Sequence, residues 1–156
     1  MFLEEPCTPL NAAVMRKIAD STSIPLASGE RNYTRWGFLP FFENYSLSVI
    51  QPDIGNCGGI TEGKKICDMA YVYDVSVQTH CCSSPLVSAA SLHLEAAIPN
   101  FMIHEHHITN TTPKNIETCK YNYQPKNGYF EIPELPGIGQ ELSDDAIKRA
   151  TIETIR

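Results

Sequence analysis

The chain has 156 residues, 42% of them hydrophobic and 19% charged, with a formal net charge of −6 at pH 7. That length supports one domain with its own core, and the acidic balance offers no electrostatic footprint for nucleic acid or an anionic membrane. No apolar run reaches the length of a membrane span, and Met1-Phe2-Leu3-Glu4-Glu5 lacks the basic start of a signal peptide, so the expected compartment is the cytosol.

Taken in order, residues 1–4 read as a strand. Thr8-Pro9 reads as an N-cap with proline at the first helical position, and Leu10, Val14 and Ile18 then give that helix one apolar stripe. Ile24-Pro25-Leu26-Ala27-Ser28 is a short strand that ends at Gly29-Glu30-Arg31. A helix is expected from about Thr34 to Glu43, where Trp36 and the aromatics of 38–42 are read as packing residues. Leu47 to Gln51 is the next strand. Gly58-Gly59 opens a helix with Ile60, Gly63, Ile66, Cys67, Ala70 and Tyr73 inward, and Val75 to Gln78 is a strand. Ser84-Pro85 opens an Ala-rich helix to about Ala97, and Phe101-Met102-Ile103 is the last short strand of the series.

Strands alternating with helices argue a parallel sheet of βα units, and strands apolar on both faces are what such a sheet requires. Glu4, Glu30, Asp53, His80 and Glu105 follow the strand ends at spacings of 26, 23, 27 and 25 residues. That rhythm is the repeat of a (β/α)8 barrel, whose functional groups gather at the C-terminal rim. The expected fold class is therefore α/β, the C-terminal portion of a (β/α)8 (TIM-type) barrel with about five βα units. Residues 1–105 form the partial barrel. Residues 106–156, rich in Asn, Thr, Pro and Gly with a strand near Gly128–Ile132, form a rim-covering tail of the same domain. Ser143 caps its closing helix, with Asp144 and Asp145 in the first turn. Five units do not close a barrel and leave open strand edges. The chain is thus expected to be the C-terminal half of a larger protein, or to pair with another copy as a homo-oligomer or with a second polypeptide.

Carboxylates around one His at a common rim call for a divalent cation, and oxygen-only ligands favour Mg²⁺ over Zn²⁺. Glu4 and Glu30 are the expected ligands; taken singly, Glu4 or Glu5 would read as a solvated helix-start carboxylate. Asp53 and His80, each just past a strand, fit a carboxylate that orients an imidazole for proton transfer. Six cysteines without a C-x-x-C pair read as reduced thiols, and Cys81-Cys82 as pocket lining. N-x-S/T matches at Asn32, Asn44 and Asn110 carry no weight without a secretory route.

Leu3-Glu4-Glu5-Pro6, Ser28-Gly29-Glu30, Gln51-Pro52-Asp53 with Gly58-Gly59, Thr79-His80 and Leu135-Pro136-Gly137-Ile138-Gly139 together resemble the enolase superfamily. The resemblance is to its mandelate-racemase-like subgroup, which includes the sugar-acid dehydratases of galactonate and gluconate type. It implies that Glu4 and Glu30 bind Mg²⁺, that Asp53 and His80 form a catalytic dyad, and that Glu105 hydrogen-bonds the substrate. It also assigns a third metal acid, a second base and a capping domain to segments ahead of Met1. Other subgroups carry a catalytic Lys after the sixth strand, and Asp53-Ile54-Gly55-Asn56 has none. The implied activity is Mg-dependent dehydration of a sugar acid to a 2-keto-3-deoxy acid through an enolate. A racemase or epimerase of a 2-hydroxy acid on the same scaffold, and a non-catalytic half-barrel remnant, are the alternatives.

Three further features have modest readings. His104, His106 and His107 flank Glu105 and suit substrate hydrogen bonding or solvent better than a nitrogen-rich metal site, with His107 the substrate candidate. Arg31 is either a contact for an acid substrate or a surface ion pair. Gly55-Asn56-Cys57-Gly58-Gly59 lacks the Lys-Ser/Thr ending of a P-loop and reads as a tight βα turn.

Overall fold

Four short strands run parallel in the order in which they occur along the chain: β1 (Leu3–Glu4), β2 (Leu26–Ser28), β3 (Val49–Ile50) and β4 (Ser76–Val77). This computed structural model describes residues 1–155, and the expected tail limit at Arg156 lies outside the described residues. The strand order never reverses, which is the order of a barrel and not of a doubly wound sheet. Each strand is followed by a helix: α1 (Ala12–Ala19), α2 (Thr34–Glu43), α3 (Gly59–Val72) and α4 (Pro85–Ala96).

The helices close a core with the strands. Leu26, Ile50 and Val77 from the sheet meet Met15, Phe38, Phe42, Ile66, Cys67, Ala70 and Leu94 from the helices. On α3 the inward residues are Gly63, Ile66, Cys67 and Ala70, as expected, while Ile60 is exposed. The six cysteines are all free thiols. No helix among the described residues is long and apolar enough to cross a membrane.

Helix α1 departs from its expected start. Asn11 is the N-cap, with its Oδ1 accepting the Val14 N–H at 3.1 Å, while Thr8 closes a turn through the Asn11 N–H. Asn caps at least as well as Thr, so the helix begins where the chain can reach the sheet. Leu10 consequently lies outside the helix and is exposed; Met15 is the buried residue, with Ala12, Ile18 and Ala19 packed beside the core. Trp36 is also exposed, with the Arg35 guanidinium 5.1 Å from its ring centre, whereas Phe38, Phe41 and Phe42 fill the core. The N-terminus of α2 is held by α3: Glu62 Oε1 accepts from both the Arg35 N–H, at 3.0 Å, and Arg35 Nε, at 2.9 Å. A carboxylate at a helix N-terminus satisfies orphan N–H groups and opposes the positive end of the dipole.

The expected fifth strand is reduced to one bridge. Val77 pairs with Phe101 through the Met102 N–H to Val77 O and the Val77 N–H to Asn100 O, both 2.8 Å. Phe101, Met102 and Ile103 are exposed beyond it, since no second neighbour extends their ladder among the described residues. The strand expected near Gly128–Ile132 is a tight reversal instead. Asn127 and Gly128 both have positive φ, 53° and 82°, between reciprocal Lys126–Tyr129 hydrogen bonds. An Asn-Gly pair in that conformation is a two-residue hairpin turn, and the local chemistry prevails over strand extension. The tail otherwise holds a 3₁₀ turn (Ile108–Thr111) and two short helices, α5 (Pro113–Ile116) and α6 (Asp144–Arg149). Ser143 caps α6 as expected, its Oγ accepting the Ala146 N–H at 3.1 Å. Leu135–Gly139 docks on α4, where His93 Nε2 lies 3.3 Å from Ile138 O, and the Tyr123 hydroxyl donates to Gly139 O at 2.6 Å.

Candidate active site

Beyond Ile50 and Val77 a further parallel bridge joins Asp53 to His80. The Gln78 N–H donates to Ile50 O and the His80 N–H to Pro52 O, so β3 and β4 fix the height of both residues. Asp53 is nearly buried, at 5% exposure. Its Oδ1 accepts the Gly55 N–H at 2.7 Å, and its Oδ2 lies 2.8 Å from His80 Nδ1. A carboxylate only accepts, so His80 carries a proton on Nδ1 and presents Nε2 to the rim. The turn at 53–59 leaves through the Asn56 and Cys57 N–H groups bonded to Asp53 O, with Gly58 and Gly59 at positive φ.

Glu30 comes to the other side of the same imidazole, with Oε2 3.0 Å from His80 Nε2. It is placed there by Gly29. A Cβ at Gly29 would stand 2.7 Å from Gln51 N and 2.9 Å from Phe38, so only glycine lets β2 end this close to β3 and α2. The hydrogen bond to Asp53 raises the pKa of His80 above its ordinary value; burial opposes this, and the nearby charges of Glu105 and Glu30 add to it. Glu105 is anchored by the Cys81 N–H, which donates to its Oε2 at 2.7 Å. Glu30, Asp53, His80 and Glu105 thus form one group.

Glu4 joins the group less directly. The ladder pairs Glu4 with Ala27, not with Glu30, so regular spacing along the sequence does not mean equal register across the sheet. Its Oε2 accepts from Gln51 Nε2 at 2.9 Å, and the same amide donates to Gln78 Oε1 at 3.0 Å. Gln51 and Gln78 are buried polar residues that the search for acids and imidazoles at strand ends does not single out. Their separation, 27 residues, equals that of Asp53 and His80, and both pairs share one face by the period-2 rule, which is the signal that finds them. Glu5 is a further site residue without a role in the sequence pattern. Its Oε1 is buried without a hydrogen-bond partner, and burial and the charge of Glu30 raise its pKa against the opposing pull of Arg31.

Of the two residues considered for substrate contact, Arg31 pairs with Glu30, its Nε 3.2 Å from Oε1, and reaches Glu5 Oε2 at 3.7 Å. His107 turns its Nδ1 to Thr109 and caps the 3₁₀ turn. The three neighbouring imidazoles diverge: His104 is buried against Glu95, His106 lies edge-on to Phe130, and His107 faces Thr109.

Among the described residues, no three His, Cys, Asp or Glu side chains converge as a metal cluster. The donors fit a hard divalent cation in kind. Glu4 and Glu30 supply carboxylate oxygens, and Glu5 Oε1 is buried beside them without a hydrogen-bond partner among the described residues. They fall short of the six oxygen ligands such a cation takes, so the remainder must come from water, substrate or other protein segments.

The geometry is that of an αβ-barrel rim, and the Enolase C-terminal domain-like family model matches residues 1–146. The chain belongs to this family. It is 34% identical over 149 residues to D-galactonate dehydratase of Ralstonia pickettii, covering 92% of this chain and 39% of that protein. It is 35% identical over 152 residues to D-xylonate dehydratase of Haloferax volcanii, covering 97% and 37%. A crystal structure of a member of the enolase superfamily from Salmonella Typhimurium superposes with a TM-score of 0.92 at 61% identity, over 95% of this chain and 38% of that one. The chain therefore spans under two-fifths of the length of these relatives. The segment they share is the parallel βα portion of the enolase C-terminal barrel, as expected from the strand-end rhythm.

Proposed function

We propose that this segment carries the acid–base dyad of a sugar-acid dehydratase that forms a 2-keto-3-deoxy acid. The observation that carries the reading is the Asp53–His80 pair, 2.8 Å apart on adjacent parallel strand ends, with Glu30 and Glu105 beside it. Two curated relatives are named for dehydration of sugar acids, galactonate and xylonate.

Removing a proton α to a carboxylate builds charge on the carboxylate, and a β-hydroxyl departs only if it is protonated. Both ring nitrogens of His80 face carboxylate oxygens, Asp53 Oδ2 at 2.8 Å and Glu30 Oε2 at 3.0 Å, which favours the imidazolium, and the hydrogen bond to Asp53 raises its pKa. It is the general acid in this reading. Asp53 keeps the Nδ1 proton and the ring orientation, and Nε2 delivers its proton to the departing hydroxyl, which leaves as water. Glu105, fixed by the Cys81 N–H, hydrogen-bonds the substrate. Glu4 and Glu30 would hold Mg²⁺, which when bound supplies positive charge to the substrate carboxylate as negative charge develops there. The base for the α-proton belongs to another barrel segment or to a second copy of the chain, either of which completes the site.

The test replaces the matching segment of the Salmonella Typhimurium relative with this chain and assays 2-keto acid formation from galactonate and xylonate with Mg²⁺. Turnover that drops about a hundredfold or more in His80→Asn is expected, as for loss of a general acid. No turnover on any sugar acid in a folded chimera, or turnover indifferent to His80→Asn, would sink the reading.

A further inference from the structure

Helix α4 carries one charged residue, and it is buried. Glu95 is the only Asp, Glu, Lys or Arg between Pro85 and Ala96, and it is 5% exposed. A buried carboxylate loses its hydration and persists only where partners compensate for it. Its two partners explain its presence. The Thr79 hydroxyl donates to Glu95 Oε1, and His104 Nδ1 lies 2.8 Å from Oε2 and 3.0 Å from Oε1. Thr79 immediately precedes His80, and His104 immediately precedes Glu105. Thr79 is fully buried, and the His104 side chain is 7% exposed.

We propose that Glu95 is a positioning residue that sets the placement of His80 and Glu105 through Thr79 and His104. This rests on the dehydratase reading for what those two residues do, and on geometry alone for the coupling. Thr79 and His104 both reach Glu95 on α4, while their chain neighbours His80 and Glu105 join the rim group. One carboxylate therefore locks the two strand ends. The Cys81 N–H to Glu105 bond ties the same ends a second time on the rim side. The two ends share no regular ladder beyond the Val77–Phe101 bridge, so these side-chain bonds are what hold Glu105 level with His80. Cys81 O also accepts from Asn110 Nδ2 at 2.9 Å, which links the tail to the same point.

The test uses the ¹⁵N-labelled chain with Glu95→Gln, which keeps shape and removes charge, and Thr79→Val, which removes only one of the two bonds. Water exchange is followed at the His80 Nδ1 proton and the Cys81 amide, reporters of the dyad and of Glu105. Expected is exchange about tenfold faster at both sites with amides of α1 to α3 unchanged, a local opening and not a global one. Thr79→Ser, which keeps the hydroxyl, restores wild-type exchange. Unchanged exchange at both reporters overturns the proposal. So does acceleration spread evenly over the helices, or failure of both variants to fold, because the network then serves only stability. Where the chain turns over sugar acid, Glu95→Gln lowers kcat about tenfold and leaves KM within about twofold. Absence of turnover in the wild-type chain counts against the dehydratase reading alone, since the exchange rates decide the coupling without it.

Discussion

Residues 3–98 and residues 104–143 are held together by different forces. The first stretch is a repeated strand–helix unit whose buried apolar residues, Met15 to Ile98, form one contiguous core. The second buries few apolar groups and is tied down by polar side chains that reach backbone atoms. Asn110 Nδ2 donates to Cys81 O at 2.9 Å, Asn115 Nδ2 to Ser83 O at 2.8 Å, and Gln140 Nε2 to Tyr121 O at 2.6 Å. Burial scales with area and is insensitive to direction, whereas a hydrogen bond contributes about 1 kcal/mol and demands a particular geometry. The barrel segment supplies the stability, and the tail fixes the placement of the loop that follows His80 at little energetic gain.

The contrast is broken most severely from the core side. Phe42 is fully buried, with ring centres 6.3 Å from Phe38 and 5.5 Å from Tyr73. Phe42→Ala is expected to lower unfolding free energy by about 3–5 kcal/mol, read from urea denaturation. A loss below about 1 kcal/mol would mean that α2 is not integral to the core.

The buried His104–Glu95 pair gives a pH dependence at the boundary between the two regions. Burial opposes charge on His104, but hydrogen bonding to Cys81 and Glu95 outweighs it and raises the imidazole from 6.5 to about 9. Below about pH 6.5 both folded and unfolded chains carry the proton, and the contribution of the pair is complete. As pH rises towards 9 the unfolded chain loses the proton while the folded chain retains it, so the contribution fades and is gone above 9. Its size is on the order of 3 kcal/mol. The expected result is a loss of stability between pH 6.5 and 9 that His104→Gln largely abolishes; an equal loss in that variant would refute the assignment.

The smallest effect belongs to the tail. Asn110→Ala removes one donor to Cys81 O and is expected to cost about 1–2 kcal/mol. Its sharper signature is local: faster amide exchange over 104–112 while α1 to α3 stay protected. Uniform loss of protection would show that the tail is part of the barrel's cooperative unit.

Much of this molecule is legible in its amino acids. Helix α2 begins and ends where the pattern puts it, Ser143 caps its helix, and the Asp53–His80 pair follows from two short apolar runs each ending in a functional side chain. These are local facts, set by period, capping and turn chemistry within a few residues. The start of α1 shows the limit, because Thr8 and Asn11 are both good caps and only contact with the sheet selects Asn11. The reversal at Asn127-Gly128 is written in the turn preference of that pair, which outweighs the strand-like residues that follow it.

What the sequence by itself determined is the alternation of strands and helices and the set of acids and imidazoles at strand ends. The tertiary structure alone decided how those ends line up. Glu4 falls level with Ala27 and reaches the group through Gln51, while Glu30 closes directly on His80. Glu95, silent in an apolar helix, turns out to join Thr79 to His104. These contacts link residues from 9 to 50 positions apart. Their alignment depends on strand register and tilt, which are fixed by cooperative packing of the whole sheet and leave no mark on any single stretch of chain.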